Sequence, residues 1–314
     1  MRFWLLAAAS ALSAFAVFAL LGTLVAAVAR RLLAPAIERA SAPLRAQALF
    51  AIRMLPIAAA MTAAFAIALP IFLWFEDRGT AEPVNLTLAL LALTAACLVA
   101  RGAWRAVSAW RATAQAVARW QRGGRNLDGL TERLPAFAID EAFPTVAVAG
   151  IFRPRLFIAE CVLREFSAPE IAAMVAHECA HVSALDNVKR LLMRVCPDVL
   201  GTPAIEREWA AAAEEAADAR AAALGPSARL DLAQALLRVA RLAVPSGPQL
   251  ASAFYLGGSI DARVRRLVDP TPAAASPRWL RIALPAAAVL AAALVLAAAP
   301  TLHAMMERAV RLLP

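Results

Sequence analysis

Four stretches of the chain, residues 3–29, 54–75, 84–100 and 282–299, carry no charged side chain. Each is close to the roughly 17–25 residues a helix needs to cross a hydrocarbon core, so the pattern predicts four membrane spans. The third is the most polar, with Asn85, Thr87 and Thr94. Pro56 and Pro70 are expected near the two ends of the second, where a missing amide hydrogen costs least. The first apolar run exceeds the roughly 7–15 residues of a cleavable signal and is followed by Arg30-Arg31, which predicts an uncleaved anchor.

Between the third and fourth runs the period changes. Trp104, Trp110 and Trp120 interleave with Arg105, Arg111 and Arg119 up to Gly123-Gly124, as expected of a helix leaving the bilayer through its interface. Two β-rich runs, 145–149 and 155–159, flank Gly150 to Pro154 and predict a hairpin. Ser167-Ala168-Pro169-Glu170 is a capping box opening a helix, with Asp186-Asn187 marking its end or a bend before 188–195. A further helix over 204–224 is closed by Gly225-Pro226. The predicted organisation is a three-helix membrane region (1–103), an α+β domain of ordinary size (104–277), and a fourth span with a short tail (278–314).

Charge sets the orientation. Arg30, Arg31, Arg39, Arg45 and Arg53 lie between the first two runs, whereas Glu76, Asp77, Arg78 and Glu82 follow the second. Arg101, Arg105 and Arg111 follow the third, and Arg263, Arg265, Arg266, Arg278 and Arg281 precede the fourth. By the Lys/Arg bias the first loop and the domain are expected in the cytoplasm and both termini outside, in a bacterial inner membrane. The net charge of +9 lies beside membrane ends without an aromatic-interleaved basic patch, which favours anionic lipid over nucleic acid as its partner. The four cysteines, Cys97, Cys161, Cys179 and Cys196, show no paired spacing, and reduced thiols are expected.

Within the capped helix, His177-Glu178-Cys179-Ala180-His181 spells HExxH. Histidines four apart share a helix face and can bind one Zn²⁺, while Glu178 beside them can act as general base toward water, the chemistry of a zinc peptidase. Cys179 falls on the far side and is expected to pack as a small apolar residue. A catalytic zinc commonly has a third protein ligand. His303, the remaining histidine, lies beyond the fourth run, on the wrong side of the membrane. Glu206, Glu208, Glu214, Glu215 and Asp218 share one downstream helix; Glu214 and Asp218 form an i, i+4 pair, Glu214 as candidate ligand and Asp218 as its supporting carboxylate. An acidic helix as a solvated face remains the alternative. Tyr255, the single tyrosine, is a weak candidate oxyanion stabiliser, a buried aromatic with a satisfied hydroxyl being the favoured reading, and Arg263, Arg265 and Arg266 are equally uncommitted to that task.

The segment from Ala149 through the Gly-x-x-Arg-Pro turn, the Ser-Ala-Pro-Glu-Ile cap, HECAH and Asp186-Asn187-Val188-Lys189-Arg190 resembles the BlaR/MecR antirepressor metallopeptidases. The resemblance implies a gluzincin domain between the third and fourth spans, with Glu214 as ligand and Asp218 as support through an ExxxD motif. It implies cleavage of a cytoplasmic protein, a transcriptional repressor or the chain itself. HtpX-type and CAAX-processing membrane peptidases share both motifs, so a quality-control protease is an alternative, as is a non-catalytic zinc-containing transducer. Sensors of the resembled family carry an extracellular penicillin-binding domain after the last span, and here residues 301–314 follow it. Input is therefore expected through the spans, from a separate sensor partner or by self-association.

Overall fold

The computed structural model describes residues 2–76, 84–127, 129–132, 134–141, 143–197, 203–242 and 260–269. The expected fourth span, Tyr255 and His303 lie outside these residues. Three helical stretches among them are long and apolar enough to cross a membrane: α1 (Arg2–Arg39), the continuous run Ala42–Phe75, and α4 (Leu86–Gly123). The middle run comprises α2 (Ala42–Met61), a π-helical stretch (Thr62–Ala68) and α3 (Leu69–Phe75).

The three pack through small residues. Phe15, Ala16 and Ala19 of α1 meet Ala60, Ala64 and Ala95 from the other two. Without side-chain bulk the backbones approach closely, which is how apolar helices gain contact where burial from water gives no driving force. Gly22 is the tightest point: a Cβ there would stand 2.8 Å from the Cα of Pro56. Ser13 Oγ donates to Leu88 O at 3.1 Å, tying α1 to the start of α4. Asn85 caps α4 by accepting from the Leu88 amide.

The helices outrun their apolar segments. α1 continues through Pro35 to Arg39, α2 begins at Ala42, and Pro56 sits inside α2 rather than at a helix end. Both polar extensions pack on α7 (Asp186–Val195) and α8 (Pro203–Ala222), where Ile37, Leu44, Leu49 and Ile52 share a core with Met193, Ile205, Trp209 and Ala213. Three of the first-loop arginines, counted in the sequence as charge beside the membrane ends, meet carboxylates of α8. Arg30 pairs with Glu208 and Arg45 with Glu215. Arg53 is 2 % exposed and donates to Glu206 Oε1 at 3.1 Å and to the carbonyl of Met193 at 3.2 Å. A helix beyond its apolar run needs partners for its charges, and the acidic α8 supplies them.

Beyond the long apolar helices lies a four-stranded sheet in the order β1-β2-β4-β3. The expected hairpin is present as β3 (Val146–Ala149) and β4 (Arg155–Ala159), antiparallel around Gly150, whose φ of +105° suits glycine. β1 (Arg125–Asn126) and β2 (Ala136–Ile139) are additional; β2 runs parallel to β4, which makes β4 an interior strand. That position explains its unbroken apolar run, since Leu156, Phe157, Ile158 and Ala159 are all fully buried. One face of the sheet meets Val117 and Trp120 of α4, which therefore runs from the apolar segment to the sheet as one rod. The other face packs on α6 (Ala168–Ser183), α9 (Pro226–Leu242) and α10 (Ile260–Val268), through Ile171, Met174, Leu232, Leu236 and Leu267. A short α5 (Glu160–Glu165) connects β4 to α6.

Candidate metal centre

α6 starts where its sequence requires. Ser167 accepts from the Glu170 amide while the Glu170 carboxylate accepts from the Ser167 amide at 2.7 Å, completing the capping box. His177 and His181 fall one turn apart in the second half of the helix. The helix then breaks at Leu185, whose φ of 58° is left-handed, and α7 resumes at Asp186. That break turns Asp186 back toward the helix it follows.

α8 crosses α6 and brings Glu214 to the histidine face. His177 Nε2 is 3.4 Å from Glu214 Oε2, His181 Nε2 is 3.5 Å from Glu214 Oε1, and the two Nε2 atoms are 3.2 Å apart. Ligands on a tetrahedron about 2.1 Å from a common ion stand about 3.4 Å from one another. The two histidines meet different oxygens of Glu214; taken as one donor atom per residue, His177, His181 and Glu214 lie within 4.8 Å of one another and can hold a metal ion, as three corners of such a site. The fourth corner takes no protein ligand among the described residues.

Each imidazole is held from behind. His181 Nδ1 lies 2.7 Å from Asp186 Oδ2, and since a carboxylate only accepts, the proton belongs on Nδ1 and the Nε2 lone pair faces the triangle. His177 Nδ1 lies 2.9 Å from Asp218 Oδ1, although off the line of an ideal hydrogen bond. Asp218 is fixed in turn by Arg263 of α10, with Nε to Oδ2 at 2.9 Å and Nη2 to Oδ1 at 2.7 Å; Arg263 Nη1 is also 3.2 Å from Glu214 Oε2.

The electrostatics favour a cation in the triangle. Burial by itself would lower the pKa of His177, but Asp218 and Glu214 outweigh it and raise the imidazole to about 9. Burial would raise Glu214, yet His177, His181 and Arg263 bring it down to about 2. Asp218 is likewise held well below the usual carboxylate range, burial being outweighed by His177 and Arg263. Two ionised buried carboxylates thus face the imidazole pair, and a proton on His177 stands where a metal would supply positive charge.

Glu178, beside the ligand His177, is held on the sheet, where its Oε2 accepts from the Val148 amide at 2.8 Å. β3 is an edge of the described sheet, and Val148 turns its polar backbone groups outward: Asn187 Nδ2 lies 3.4 Å from Val148 O and donates to Gly150 O at 3.1 Å.

The structure therefore assembles His177, Glu178, His181, Glu214 and Asp218 in one place. Asp186, expected only as a helix-end marker, supports His181. Arg263, expected as a membrane-edge charge, is 4 % exposed and belongs to the metal cluster, while Arg266 pairs with Glu215 at 3.1 Å. No signal in the sequence separated Arg263 from its neighbours Arg265 and Arg266. Spacing gave one hint for Asp186, a carboxylate one residue past a helix break. Cys179 packs partly buried at the rim of the domain core, and none of the four cysteines is joined in a disulfide among the described residues. Comparison of the chain with protein-family models, curated proteins and solved structures finds no match.

Proposed function

We propose that the protein is a membrane-anchored zinc endopeptidase that cleaves a cytoplasmic protein. The observation that carries this reading is a group of three candidate ligands, His177, His181 and Glu214, with a glutamate, Glu178, next in sequence to a ligand and outside that group. A structural zinc usually closes with four protein ligands, whereas catalysis needs a vacant corner and a base. A zinc ion held by His177, His181 and Glu214 would supply Lewis acidity to a peptide carbonyl and to water.

The chain's own groups account for the remaining chemistry. Glu178 takes a proton from the attacking water as its oxygen bonds to the carbonyl carbon. The C–N bond then breaks as Glu178 delivers that proton to the leaving nitrogen, so one water is consumed and a carboxylate and an amine are formed. Asp186 and Asp218 hold the imidazoles in register throughout. An extended substrate segment can add to the free side of β3 by main-chain hydrogen bonds, displacing Glu178 from the Val148 amide and releasing the base into the cleft.

The resemblance to BlaR/MecR peptidases agrees with this reading and adds a repressor as the substrate, with four spans, a cytoplasmic domain and outward termini. The test compares N-terminal peptides in cells expressing the wild-type chain or Glu178→Gln. New termini that depend on Glu178 and map to one or a few cytoplasmic proteins are the expected result. Many membrane-protein termini would indicate a quality-control protease, and none, with zinc bound to both proteins, would leave a transducer.

A further inference from the structure

The site contains a second arginine whose circumstances differ from those of Arg263. Arg190 lies on α7, four residues after Asp186 and three after Asn187, so all three share a face of that helix. Each addresses a different part of the same cleft: Asp186 the ligand His181, Asn187 the outward carbonyls at the end of β3, and Arg190 the ligand Glu214. Arg263 is enclosed and saturated by Asp218 and Glu214. Arg190 is 45 % exposed, and its Nη2 stands 3.9 Å from Glu214 Oε1, an ion-pair distance longer than a hydrogen bond. Its guanidinium lies over the ring of the fully buried Trp209, 5.5 Å from the centroid.

Those facts describe a cation held in position with donors to offer. A guanidinium within cation–π range of an indole is held near the ring while its N–H groups stay available to a further partner. Glu214 keeps the charge near the metal triangle without engaging it at bonding distance.

Resting on the peptidase reading above, we infer that Arg190 is the substrate-binding cation of the site, donating to the scissile carbonyl oxygen as it gains negative charge. Peptide hydrolysis places that charge beside the metal ligands, and a preorganised donor there contributes through being stronger toward the oxyanion than toward the neutral carbonyl. This assigns to α7 the task for which Tyr255 was the sequence candidate.

The experiment uses the full chain, zinc-loaded in detergent micelles, with Arg190→Met and Arg190→Lys beside the wild type. Two zinc-directed probes are titrated: a phosphonyl dipeptide, whose tetrahedral anionic oxygens imitate the developing oxyanion, and a small hydroxamate, a planar chelator without that feature. The expected result is a loss of roughly 100-fold in phosphonyl affinity for Arg190→Met, partial recovery in Arg190→Lys, and unchanged hydroxamate affinity and zinc content. A phosphonyl probe that binds wild type and Arg190→Met alike, or fails on wild type while the hydroxamate binds, overturns the inference and leaves the metal reading intact. Loss of zinc or of both probes in Arg190→Met makes Arg190 a structural support and also overturns it. A wild-type protein that binds neither probe ends the peptidase reading together with this one.

Discussion

α8 presents carboxylates in two directions, and the two sets behave differently. Glu214 and Asp218 face α6, are enclosed, and meet imidazoles and Arg263. Glu206, Glu208 and Glu215 face the polar ends of α1 and α2 and meet Arg53, Arg30 and Arg45. The residue types are the same, and the difference is convergence. On the first side several groups of both signs crowd one point and shift one another's protonation; on the second each carboxylate closes a seam between helices. A metal centre needs the first arrangement, and a rigid platform for it needs the second.

The comparison breaks most sharply at the ligands. His177→Ala removes one corner of the triangle, and the purified protein should hold no stoichiometric zinc by atomic absorption. Glu178→Gln should keep its zinc while proteolysis falls by about 10²–10⁴-fold, because general base catalysis is lost and the ligand set is not. Asp186→Asn should weaken zinc by about 10–100-fold in competition with a chelator, with cleavage restored at high zinc. The arginine seam should respond in stability instead. Arg53→Met leaves the Met193 carbonyl without its buried donor and Glu206, 32 % exposed, without its ion pair, costing about 1–3 kcal/mol and lowering the thermal midpoint, with zinc stoichiometry retained. Arg30→Gln breaks a half-exposed pair and should change stability by less than about 1 kcal/mol. Should Arg53→Met lose zinc before it loses the fold, the two sides of α8 are one unit and the distinction drawn between them is wrong.

Legibility followed the range of the interactions involved. The cap of α6, the break before α7 and the hairpin around Gly150 rest on contacts a few residues long, and all could be read from neighbouring positions. β2 was invisible because Ala136–Ile139 is four apolar residues whose strand character depends on pairing with β4, about twenty residues away. The partners of the arginines were not legible for a related reason. The Lys/Arg bias counts charges near apolar runs and takes no account of a distant acidic helix that can neutralise them. Arg263 is the extreme case, since its sequence surroundings are those of a membrane flank and its three-dimensional surroundings are Asp218 and Glu214.

What the linear chain determined by itself is the candidate ligand pair and the glutamate beside it, because a helix of fixed pitch carries His177, Glu178 and His181 into position whatever surrounds it. It likewise determined which segments are apolar enough to cross a membrane, a property of composition and length. The third ligand, the carboxylates behind each imidazole, the burial of Arg263 and the exposure of Arg190 were decided only when α7, α8 and α10 packed around α6. Convergence on a point is a property of how helices cross, and neither spacing nor composition along one helix encodes the crossing.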